Sequence, residues 1–285
     1  PLRKRNYQER ARPSRHLRLW RLIINGEERG AKKGGDGMAE GYYLYCITGG
    51  TGEARSYGHA GIGGRNDEVF AINYQDLSCV ASVSPLSDYA ITRGNMLAHQ
   101  KVIEDVMKSY SVLPIRFSTI AKNEDDIRSV LKKRRSEFKD LQEKMKDKVE
   151  LGLKALWKDM RLVWKDIAEK DDMVKRLKVK AASSRKGFDA NVELGRAVRA
   201  SLDRKKEEEA GKIISMFSGL AVDTRENKTH GDSMVVNAAF LVDRAQATEF
   251  DTQVVKLDES NGNISLKYVG PVPPFNFINI VIEWN

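Results

Sequence analysis

Cysteine is nearly missing from this 285-residue chain. Cys46 and Cys79 stand far apart, without metal-ligand spacing. Both lie in strand-like apolar runs and read as small buried hydrophobes in a reducing cytoplasm, with a disulfide as the lesser alternative. Histidine is almost as scarce. His16, His59, His99 and His230 form no i, i+4 pair, so no metal site is expected. No apolar stretch approaches the ~20 residues of a membrane-spanning helix. The first 37 residues lack the apolar run of a secretory signal. Enzyme signatures are missing as well: no GxxxxGK[ST], no GxGxxG leading into a helix, no GxSxG elbow. No cofactor is called for.

What is present is enough for a core: 41% apolar and 8% aromatic residues, on a length that suits two domains. The formal charge of +9 is unevenly spread. Residues 1–37 hold eleven Lys or Arg against four acids, so that head carries +7 and the rest only +2. A phosphate-gripping patch is therefore not expected on the folded body. The head ends in Gly34-Gly35-Asp36-Gly37 before Met38. It reads as a mostly disordered upstream extension, with Met38 as the natural start; a functional basic arm and a short docking segment are the alternatives.

The body reads as α+β. Strands are predicted at Tyr43–Thr48, Glu68–Ile72, Ser78–Ser84 and Val112–Phe117, with a seven-glycine mobile loop over Gly49–Gly64. Leu97, Val102, Ile103, Val106, Met107 and Tyr110 make one helical stripe. Asn123 is an N-cap before three acids, opening a helix whose stripe runs from Ile127 to Met145. Val149–Trp157 alternates as a half-buried strand, which places a boundary near Lys148. A helix with Met160 to Leu177 facing inward follows, then a break at Ser183-Ser184. A long helix spans about Lys186 to Phe217, with a solvated charge run over Asp203–Glu209. Val235–Val242, Ile264–Val269 and Ile278–Trp284 are predicted strands, with a helix around Phe250 and Val254. The division is a head (1–37), an N-terminal α+β domain (38–148), smaller and built on a mixed sheet with helices, and a C-terminal domain (149–285). The C-terminal order is ferredoxin-like, with one crossover enlarged into a long helical hairpin.

Two apolar runs are broken by proline where a plain strand would not tolerate it. One is Val112-Leu113-Pro114-Ile115-Arg116-Phe117-Ser118-Thr119. The other is Tyr268-Val269-Gly270-Pro271-Val272-Pro273-Pro274-Phe275-Asn276-Phe277. In this order, and with the opening Gly41-Tyr42-Tyr43-Leu44-Tyr45-Cys46-Ile47, they resemble the gas vesicle GvpF/GvpL family over roughly Met38 to the C-terminus. Ser118 departs from the family pattern, where Gly is usual; Val272 and Phe275 stand where an aromatic and Tyr are commoner. The resemblance implies two α+β domains and an accessory or minor structural role. It implies contact with the main shell protein and other accessory proteins during vesicle nucleation and assembly. Proline-rich irregular backbone tends to lie at the surface, and exposed aromatics make contact surface. Leu113, Pro114, Arg116, Phe117, Tyr268, Pro271, Pro273, Pro274, Phe275 and Phe277 are therefore the candidate partner-binding residues.

Two other classes stay open at this point. One is a nucleic-acid-binding protein acting through the basic head. The other is an enzyme with a polar site near His59, in the glycine loop, or near His230, two residues from Asp232.

Overall fold

The structure is a computed structural model that describes residues 39–50, 52–183 and 188–284. The expectations for the basic head and for Met38 lie outside these residues. Strands β1 (Glu40–Gly49), β2 (Ser56–His59), β3 (Glu68–Tyr74), β4 (Leu77–Pro85), β5 (Val112–Pro114) and β6 (Ile120–Ala121) build the first sheet. Its order is β2-β3-β4-β1-β5, with β6 also paired to β1. It has six strands against four in the second sheet. All its named pairs are antiparallel.

β1 runs through the middle and is buried from Tyr43 to Thr48, which is why it reads as a continuous apolar run. A bulge between Leu44 and Cys46 resets its alternation. Tyr43, Tyr45 and Cys46 therefore pack toward α1 (Arg93–Met107). Leu44 and Ile47 pack on the other face, with α2 (Glu124–Lys133) and α3 (Arg135–Met145). Cys79 shares that second face, so the two thiols are separated by the sheet and both are free. Burial holds both thiols well above their ordinary range.

α1 is capped by Thr92, whose Oγ1 accepts from Asn95 N at 3.2 Å. Its buried stripe is His99, Val102, Ile103 and Val106. Leu97, predicted to face inward, is exposed, and His99 takes the inner position. Asn123 caps α2 as expected, accepting from Asp126 N at 2.8 Å. The single helix predicted from Ile127 to Met145 is broken at Arg134.

The second sheet is formed by β7 (Lys148–Trp157), β8 (Asp223–Glu226), β9 (Met234–Asp243) and β10 (Ile264–Val272), in the order β10-β7-β9-β8 and antiparallel throughout. Numbered within this unit the order is 4-1-3-2, that of a ferredoxin-like sheet. The first crossover carries α4 (Met160–Lys170), α5 (Asp172–Ser183) and α6 (Phe188–Ser215); the second carries α7 (Ala247–Ser260). These helices cover one face, over a core that includes Leu151, Leu153, Phe217, Phe240 and Phe250. The inward stripe predicted as one helix over Met160 to Leu177 is split at Asp171, whose Oδ1 accepts from Met173 N and Val174 N. The charge run on α6 is not wholly solvated. Arg204 reaches Asp171 at 2.5 Å and Lys205 binds Asp166, tying α6 to α4 and α5.

The last predicted strand does not join this sheet. Ile278 and Ile280 are buried in the core of the first sheet, with Ile282 packed alongside. Ile280 makes an isolated parallel bridge with Ile115, and Arg116 N donates to Ile280 O at 3.0 Å. Arg134, at the α2–α3 break, donates to Val281 O at 2.8 Å and lies over the Phe138 ring. The C-terminal tail thus straps the two sheets together.

Candidate protein-binding surface

The first proline-broken run sits at the edge of its sheet. Cys46 pairs with Pro114, and β5 ends the strand order, so the missing N–H of Pro114 costs no interior ladder bond. Beyond Pro114 the open side is taken by the tail through Ile280. Ser118 follows in the left-handed region, at φ 62°. That geometry explains why glycine is usual there. Here the serine hydroxyl does structural work in return: Tyr89 N donates to Ser118 Oγ at 2.9 Å, and Ser118 N donates to Tyr43 OH at 3.1 Å.

Tyr43 and His99 form the centre of a buried aromatic cluster. Tyr43 OH lies 3.0 Å from His99 Nδ1. The Tyr43 oxygen already accepts from Ser118 N, so its proton is free to go to Nδ1. Tyr45 stacks on His99 at 5.8 Å, and Phe117 meets it edge-on at 5.7 Å. Burial pushes the His99 imidazole down to about 4, against a smaller opposing effect of a backbone hydrogen bond with Ile115. His99 is a neutral core residue at ordinary pH. Burial likewise raises the Tyr43 and Tyr45 phenols.

The second run is clamped by a buried carboxylate. Glu150 Oε2 accepts from Asn276 N at 2.8 Å and its Oε1 from Asn276 Nδ2 at 2.5 Å. Asn276 Oδ1 in turn accepts from Asn227 Nδ2 at 3.1 Å. Burial raises the Glu150 carboxyl above its usual range, and the two Asn276 bonds pull it partly back. Upstream, Gly270 has φ 150°, and a Cβ there would stand 2.6 Å from Leu151 Cδ2. Only glycine fits that bend. Tyr268 is occupied too: its ring stacks on Phe250 and its hydroxyl donates to Asp251 at 2.5 Å, tying β10 to α7.

The structure sorts the ten candidate contact residues. Leu113, Pro114, Pro273 and Pro274 are buried, so they shape the surface without forming it. Phe117, Tyr268 and Phe277 are half-buried, each committed to packing: Phe117 in the α1 cluster, Tyr268 on α7, Phe277 in the α2–α3 cluster. Arg116, Pro271 and Phe275 are exposed. The tail, not named among the candidates, adds Val281 and Trp284, each a little over a third exposed. Its alternation of apolar and polar residues was the available signal.

The histidine alternatives find no support in the geometry. His59 is the exposed last residue of β2, and its Nδ1 lies 3.2 Å from Asn66 O. Asp232 does not orient His230; it pairs with Arg199 at 2.9 Å. Among the described residues no group of three or more His, Cys, Asp or Glu could hold a metal ion. No described helix is long and apolar enough to cross a membrane.

Known proteins share both the sequence pattern and the fold. Gas vesicle protein F of a Streptomyces species (strain CB03234) is 25% identical over 236 residues, covering 83% of this chain and 98% of that one. Gas vesicle protein F1 of Halobacterium salinarum is 24% identical over 248 residues, covering 86% and 96%. The crystal structure of GvpF from Anabaena sp. PCC7120 superposes with a TM-score of 0.74 at 21% identity, over 85% of this chain and all of that one. The family of gas vesicle synthesis proteins GvpL/GvpF matches residues 41–279, most of the chain, and to that family this protein belongs.

Proposed function

We propose that this gas vesicle protein works by binding, not catalysis, and that it engages the main shell protein and other accessory proteins during vesicle nucleation and assembly. The observation that carries this reading is the presentation of Phe275. Pro273 and Pro274 are buried before it and Asn276 is bonded to Glu150 after it, yet the ring is 37% exposed. A rigidly held, exposed aromatic is a preorganised anchor. Pro271 and Arg116 are exposed on the same two runs, and Val281 and Trp284 lie further along the tail. A shell subunit that polymerises through apolar surfaces needs a partner that covers or orients them before assembly.

The test is capture of shell protein by the full chain and its variants at low salt and at ~0.5 M salt, where charge steering is largely screened. Capture should survive the salt. Phe275→Ala should weaken it about tenfold, an effect of 1–2 kcal/mol. Arg116→Ala should matter less. No capture by the wild type removes the partner, and capture lost in salt hands the interface to charges.

A further inference from the structure

The second sheet leaves part of one face uncovered. α4 to α7 pack against the side of β7 that carries Leu151, Leu153 and Ala155. By strand alternation the opposite side carries Glu150, Gly152, Lys154 and Leu156. Its Glu150 end is closed by Asn276, and by Leu241 in the core of the first sheet. Beyond that end, Val269 of β10 pairs with Gly152. A Cβ on Gly152 would stand 3.0 Å from Val269 Cγ1, so the valine lies across the strand, and it is 51% exposed. One step further, Lys154 and Lys267 face each other across β7 and β10. Like charges directly opposite each other destabilise a sheet. No described carboxylate makes an ion pair with either lysine. Burial, and then Lys267, push the Lys154 ammonium below its usual range.

We propose that this open face docks an acidic amphipathic helix of a protein partner, with Lys154 and Lys267 receiving two carboxylates and Val269 and Leu156 its apolar side chains. Two features select that occupant. The lysine pair is a charge excess with no internal counterpart, set beside an apolar strip. Carboxylates one helical turn apart are spaced by about 5–6 Å, close to the separation of directly paired strand residues. The inference does not depend on the role given to Phe275.

The probe is an 18-residue helical peptide with a leucine stripe flanked by Glu at i and i+4, and a twin with Gln for every Glu. Binding to the full chain is read by fluorescence anisotropy. The Glu peptide should bind saturably. The double variant Lys154→Glu/Lys267→Glu should weaken it at least tenfold, and Lys132→Gln/Lys133→Gln on α2 should leave it unchanged. Lys267→Glu alone should raise the unfolding midpoint by about 1–3 °C while weakening the peptide, which a lysine pair of purely structural role would not do. The idea fails if the Gln twin binds equally well, if the double reversal leaves affinity unchanged, or if no saturable binding occurs. Lysine-dependent binding of polyphosphate or anionic vesicles without peptide binding also overturns it.

Discussion

The first sheet is covered on both faces, the second fully on one. That contrast decides how each uses its polar groups. In the first sheet, α1 closes one side and α2, α3 and the tail close the other. Several polar groups caught inside satisfy one another there: Tyr43, His99, Ser118 and Tyr89 form a chain of hydrogen bonds, although the buried Thr48 hydroxyl finds no partner. In the second sheet, Lys154 and Lys267 face each other on an open face, Lys267 exposed to water and Lys154 half-buried. Glu150 lies at the junction of the two regimes. It starts on the open face and is buried because the tail crosses over it.

The largest test of this contrast removes the tail. Deleting residues 278–285 uncovers one face of the first sheet and takes away Ile278 and Ile280, both nearly fully buried. The loss should be about 4 kcal/mol, a drop of roughly 10 °C in the unfolding midpoint. An unchanged midpoint would show that the second face of the first sheet does not need the tail.

A smaller effect is expected inside each region. Asn276→Ala keeps the backbone donor to Glu150 but removes the side-chain donor, and should cost about 2 kcal/mol. Ser118→Val puts a β-branched residue at φ 62° and deletes the Tyr89 cap, for a similar loss. Ser118→Gly should cost less than Ser118→Val, because glycine accepts the backbone; equal losses would place the whole effect in the hydroxyl.

Acidity sharpens the comparison further. The folded Glu150 carboxyl sits above its unfolded value, so the fold binds a proton more tightly there than the open chain does. Its contribution is therefore best below the unfolded value of 4.5 and is lost as pH rises through the raised folded value. Glu150→Gln should remove that component. The stability difference between wild type and Glu150→Gln should move toward the wild type as pH falls from 7 toward 4.5. A difference that stays constant over that range would mean that burial does not shift this group. The smallest expected change is Arg204→Ala, which breaks an exposed pair with Asp171 and should cost under about 1 kcal/mol.

Legibility followed burial. The interior strands β1, β4, β7 and β9 carry apolar patterns and were readable, within one to three residues at each end. Of the edge strands, β5 and β10 were readable and β2 and β8 were not. β2 is Ser-Tyr-Gly-His and β8 is Asp-Thr-Arg-Glu, held by main-chain bonds to β3 and β9 and half-exposed. A strand that packs few side chains inward writes little periodicity into the sequence. The helix breaks at Arg134 and Asp171 were hidden for another reason. Neither is Gly or Pro; Arg134 is held by a distant partner, Val281 O, while Asp171 caps α5 locally through its Oδ1, a signal masked by the continuous apolar stripe around it. In the candidate surface, the proline runs marked the right segments of chain. They did not reveal which side chains point outward, because Leu113 and Phe275 look equally apolar on paper.

The sequence alone determined the α+β class, the ferredoxin-like order of the second unit and the membership suggested by two proline-broken runs. Those are local properties: alternation, caps, and backbone that only certain residues adopt. It also determined that Ile278, Ile280 and Ile282 form an extended, one-sided apolar segment. Only the tertiary structure decided which sheet that segment would cover. Alternation specifies a face to bury but not the surface that buries it. The choice came from long-range contacts, the Ile115 bridge, the Arg134 guanidinium and the Glu150–Asn276 clamp, whose partners lie more than a hundred residues apart in the chain.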